Sequence, residues 1–77
     1  MIDSFNKAIQ YTERATVLSK TSQIVVGLIS FEFSNKGRKN FKVDINTFNL
    51  ISEGEKGLLT YRKNGEHLFF VDFKPNV

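Results

Sequence analysis

The chain has 77 residues, a formal charge of +3, 40% hydrophobic side chains, eight phenylalanines, one histidine and no cysteine. That length holds one domain and not two, and a chain so short buries only about 60% of the surface its unfolded form exposes. The missing cysteines exclude disulfides, cysteine-ligated zinc and iron–sulfur sites, so the core must come from packing, for which phenylalanine is good material.

Eleven basic residues are interleaved with eight acidic ones. This balance permits a polyanionic partner without requiring one. The longest apolar run, residues 24–29, is far short of the roughly 20 residues of a spanning helix. No signal-peptide pattern opens the chain. As given, it reads as soluble and cytoplasmic, and the lack of cysteine fits that reading.

In chain order, residues 1–10 place Ile2, Phe5 and Ile9 near one helical face, with Asp3 or Ser4 available as a cap. They are expected to form an N-terminal arm or short helix. Residues 11–20 read as a first strand in which Ala15 and Val17 share a face, and residues 19–23 as a turn. Residues 24–34 form the strongest strand pattern. Val25, Gly27, Ile29, Phe31 and Phe33 alternate onto one side, and Gly27 suggests a bulge or bend. Residues 35–38 contain Gly37 and read as a hairpin turn. The next strand turns Phe41, Val43 and Ile45 inward.

Over residues 46–53 the period changes. Phe48, Leu50 and Ile51 fit a helical face, with Asp44 or Asn46 as cap and Gly54 past the end. Residues 56–63 return to strand. Asn64 and Gly65 suit the two central positions of a type I′ turn. In the last strand the alternation groups Phe69, Val71 and Phe73 on one face and Leu68 and Phe70 on the other.

The resulting order, β-β-β-α-β-β, predicts a mainly β domain over residues 11–75: a small five-stranded OB-like barrel with one short helix between strands 3 and 4, or an SH3-like roll as its competitor. A closed barrel would also remove exposed strand edges.

Several segments carry a family resemblance: residues 15–20 (ATVLSK), 30–33 (SFEF), 40–43 (NFKV), Leu50, residues 53–60 (EGEKGLLT), and the aromatic end at Phe69, Phe70 and Phe73. Together they resemble the YhhM-like family of small uncharacterised bacterial β-domain proteins. The resemblance implies the same β architecture and no assigned activity. It also implies a membrane anchor ahead of the β domain, and this sequence departs from the family there.

Catalytic motifs are hard to find. His67 is the only histidine and follows an exposed turn, so it reads as a strand-end residue. Glu53, Glu55 and Asp44 cluster around the expected helix and read as turn residues, since a small barrel offers no deep cleft to raise a carboxylate pKa. The segment 54–57 (GEKG) is not a phosphate loop. No enzyme, metal, cofactor or small-molecule substrate is implied.

Two features point to binding. Lys36, Arg38, Lys39 and Lys42 lie in and after the second turn, with Lys20 in reach if the first two strands pair. Such a cluster suits an anionic partner, a nucleic acid or a peripheral membrane surface, if exposed aromatics share its face. The second feature is the last strand, apolar on both faces, where Leu68 and Phe70 are expected to form an interaction patch if left uncovered. The leading expectation is a non-catalytic interaction module that binds a protein partner or itself, with an OB-like nucleic-acid binder as the alternative.

Overall fold

The computed structural model describes residues 8–76. The elements are β1 (Ile9–Gln23), β2 (Val26–Phe33), β3 (Arg38–Asp44), α1 (Ile45–Leu50), β4 (Lys56–Asn64) and β5 (His67–Pro75). The expected arm over residues 1–10 falls largely outside the described residues, and its last two positions already belong to β1.

All five strands join one antiparallel sheet in the order β3-β2-β1-β4-β5. The long β1 organises it. Its first half, from Ile9 to Thr16, pairs with β4, and its second half, from Ala15 to Gln23, pairs with β2. At the crossing, Leu18 bulges out between Val17 and Ser19. There the loop before β4 takes over the hydrogen bonding: the Val17 amide donates to the Glu55 carbonyl, and the Gly54 amide donates to the Val17 carbonyl, both at 2.8 Å. A bulge bends a strand and increases its twist.

The bend curls the sheet around one core. Ile29, Phe31, Phe41, Leu59 and Val17 are its most deeply buried large side chains. Rings from distant strands meet inside, Phe41 of β3 against Tyr61 of β4 at 5.4 Å and Phe31 of β2 against Phe73 of β5 at 5.3 Å. The expected closed barrel is not made. Edges β3 and β5 approach one another but share no ladder, because aromatic side chains fill the space between them. The sheet is curled and open.

Three local expectations change. First, the β1–β2 turn is not at residues 19–23. It is Ile24-Val25, closed by the Gln23–Val26 pair, with Ile24 99% and Val25 70% exposed. Second, the bulges are at Leu18 and Val71, and Gly27 sits in regular ladder. It is glycine because the Phe48 ring packs where a Cβ would stand. Third, the β4–β5 loop is Gly65-Glu66, closed by Asn64 and His67. Only Gly65 has positive φ (65°), which is the type II′ pattern and not type I′.

Helix α1 is a short plug. Asp44 caps it, its carboxylate accepting from the Thr47 amide at 3.2 Å. It ends at Leu50, where Ile51 is already extended and turns into the core.

Candidate functional site

Strand parity and the two bulges decide which side chains reach the surface. Residues directly opposite on neighbouring strands share a face. On β3, Arg38 pairs with Glu32, Asn40 with Ser30 and Lys42 with Leu28, all on the outer face, where the Ser30 hydroxyl donates to Asn40 Oδ1. Lys39 pairs with the buried Phe31 and so takes the core-side parity at the rim. Lys36 sits at the turn, with φ of 73°. The four cations grouped by the sequence are therefore split among two faces and a turn.

Lys20 is on β1 and pairs with β2, as expected, but the Leu18 bulge turns it to the inner side opposite Ile29. Its ammonium lies over the Phe48 ring and donates to the Ile51 carbonyl. It does not join the basic group.

Exposed aromatics do not accompany the cations either. Tyr11 stacks on Tyr61 at 5.4 Å, at the rim of the core face. Phe69 lies on β5, at the opposite edge of the sheet from Arg38 and Lys42. By the same parity Phe69, opposite Arg62, is on the outer face with Arg38 and Lys42, and three strands separate it from them.

On β5, the alternation read from sequence is reversed over half the strand. Tyr61 faces Phe70 and Thr60 faces Asp72, so Val71 is an extra residue. Leu68, Phe70 and Phe73 consequently all turn to the core: Phe73 is buried, and Leu68 and Phe70 pack half-buried against it. The expected patch at Leu68 and Phe70 is corrected to Phe69 and Val71, which are 52% and 44% exposed. Between this strand and α1 is a cleft of about 260 Å³ lined by Leu50, 82% exposed, and Val71, with Ile51, Phe70, Phe73 and Pro75 completing its apolar lining. A shallower hollow of about 580 Å³ lies on the other side of Phe69 and Val71, toward Arg62 and Asn64. No sequence signal marks a bulge inside a strand that is apolar on both faces.

The carboxylates near the helix hold backbone. Glu53 accepts from the Lys20 amide at 3.1 Å and Glu55 from the Ser52 amide at 2.8 Å. A hydrogen bond from the Thr47 side chain, and a second from the Thr47 backbone amide, hold the Asp44 carboxyl below its usual range. His67 is exposed at the start of β5, its ring 6.4 Å from that of Phe69. No group of three potential metal ligands occurs among the described residues. No described helix is long and apolar enough to cross a membrane.

No family model matches the chain, and no curated protein is significantly similar to it. Among solved structures it is similar to a crystal structure of a DUF2500 domain from Klebsiella pneumoniae, with a TM-score of 0.73 and 26% identity over 87% of this chain and 98% of that one. The neighbour is a small bacterial domain of unknown function. It supports the fold and brings no activity with it.

Proposed function

We propose that this chain is a non-catalytic interaction module of OB-like architecture, akin to the YhhM-like proteins, that receives a protein partner along β5. One observation carries the reading: an edge strand bears an exposed apolar strip, Phe69 and Val71, beside a cleft walled by Leu50.

The two edges of the sheet contrast. The β3 edge carries Arg38, Lys39 and Lys42, and charged edges deter strand pairing. On β5 the stretch from Leu68 to Phe70 carries no charge, and the Val71 bulge, Asp72 and Lys74 fall beyond it. An incoming extended segment would gain backbone hydrogen bonds from the edge, and an apolar side chain two residues along would enter the cleft.

A displayed library of extended peptides tests the proposal, with binders mapped by amide shifts. The expected result is a set of apolar peptides that shift β5 and α1 and lose binding in the Phe69→Ser/Val71→Ser double variant. Concentration-dependent sedimentation of the free chain, abolished by the same variant, would make the partner a second copy. Binders that all map away from β5, together with a monomer at every concentration, would overturn it.

A further inference from the structure

Midway along β1, where its two pairings overlap, a cleft of about 300 Å³ opens beside the β2–β3 turn and shares no residue with the β5 hollows. Its polar lining is Arg14, Thr16, Glu32, Ser34, Lys36 and Lys56, and its apolar wall includes Ala15 and Phe33. Thr16 pairs with Glu32 on one side and Lys56 on the other, so these three stand in one row on the outer face. Arg14 lies two residues back along β1 on the same face. Lys36 reaches the cleft from the turn. Three cations from three segments thus line one cleft together with a single carboxylate, Glu32, whose cross-strand neighbour is a further cation, Arg38.

The turn shows that Lys36 is held in place. Its φ of 73° is a left-handed conformation that suits glycine or asparagine better than lysine. The glycine next to it, Gly37, does not take that conformation. The Lys36 amide donates to the Phe33 carbonyl at 2.9 Å, the Phe33 amide donates to the Gly37 carbonyl at 2.8 Å, and Asn35 Oδ1 accepts from the Gly37 amide at 2.9 Å. These bonds fix the backbone from which the Lys36 side chain projects.

We infer that this cleft is a binding site for a phosphomonoester group. A tetrahedral dianion takes donors from several directions, and the guanidinium, the two ammonium groups and the hydroxyls of Thr16 and Ser34 approach from separate strands and the turn. Two sources share this chemistry, a soluble phosphomonoester and a phosphatidic acid headgroup.

The test is an amide-shift titration of the whole chain with glycerol 3-phosphate at constant ionic strength, alongside sedimentation with phosphatidylcholine vesicles containing either phosphatidic acid or phosphatidylglycerol. Saturable shifts confined to residues 14–16, 32–37 and 56–57 are expected for the soluble source. Sedimentation with phosphatidic acid but not phosphatidylglycerol identifies the headgroup. In either case Lys56→Gln and Lys36→Asn should weaken binding on the order of fivefold to tenfold. Lys42→Gln and Lys74→Gln, which remove the same charge outside the cleft, should leave it unchanged. Equal losses in all four variants would reduce the effect to net charge and overturn the site, as would shifts that never saturate together with no preference for phosphatidic acid. The amide spectrum of each variant checks that it is folded.

Discussion

The Lys20 ammonium lies 4.3 Å above the centroid of the Phe48 ring and donates to the Ile51 carbonyl at the end of α1. Strand and helix are tied together by one side chain, which the Leu18 bulge has turned inward. Replacing Lys20 with Met keeps the aliphatic stem and removes both contacts. The expected loss is about 1–2 kcal/mol in urea unfolding. In a double-mutant cycle with Phe48→Leu, a coupling near zero would show that ring and ammonium do not interact.

Phe48 also explains Gly27. A Cβ at position 27 would fall within the ring. Gly27→Ala should therefore cost about 1–3 kcal/mol by overpacking. The same change on a Phe48→Ala background should cost clearly less, because the obstruction is gone. Comparable penalties on both backgrounds would refute the contact as the cause.

Tyr61 donates its hydroxyl to Glu13 Oε2 at 2.9 Å. Burial first, and the Glu13 carboxylate second, push its pKa from 10.0 up to about 12. A raised folded-state pKa means the contribution is fully present below pH 10 and lost as pH climbs from there through about 12. The alkaline limb of stability against pH should thus be shallower in Tyr61→Phe than in the parent. Parallel limbs would remove Tyr61 as the titrating group.

Neighbouring residues on opposite faces of β2 should respond very differently. Phe31 is fully buried, whereas Ser30 is half-exposed on the outer face. Phe31→Ala is expected to cost about 3–5 kcal/mol, comparable to the whole stability of a small domain, about 5 kcal/mol. Ser30→Ala gives up only an exposed hydrogen bond to Asn40 and should cost no more than about 1 kcal/mol. Calorimetry should show no cooperative transition for the first variant and a modestly lowered midpoint for the second.

At the β4–β5 loop, Gly65 has φ of 65°. Gly65→Ala should destabilise by about 1 kcal/mol, while Glu66→Gly, at a position with no positive φ, should not rescue it. Hydrogen exchange at Asn64 and His67 would report the loosened turn.

Much of the architecture was legible because β-strands declare themselves by alternation. Ile29, Phe31 and Phe33, and likewise Phe41 and Val43, recur every second residue, and each set lies in the core. A capping residue, Asp44 or Asn46, was legible because a short acceptor ahead of a changed period favours that role, and the structure selects Asp44. Where the pattern failed, it failed locally. The Ile24-Val25 turn contains no turn-forming residue, so a continuous apolar run concealed it. On β5 both alternating sets are apolar, so Leu68 and Phe70 could not be distinguished from Phe69 and Val71 by sequence alone.

Over residues 11–75 the sequence by itself determined the order of strands and helix, together with the lack of cysteine chemistry and most of the core, since these depend on local periodicity and composition. Only the tertiary structure decided the surface. A bulge adds one residue to one strand and reverses every face beyond it, and where it falls depends on how neighbouring strands pair. The bulge at Val71 exposes Phe69 and packs Phe70 inward. Long-range pairing likewise gathers Arg14, Lys36 and Lys56 into one cleft although they are far apart in the chain.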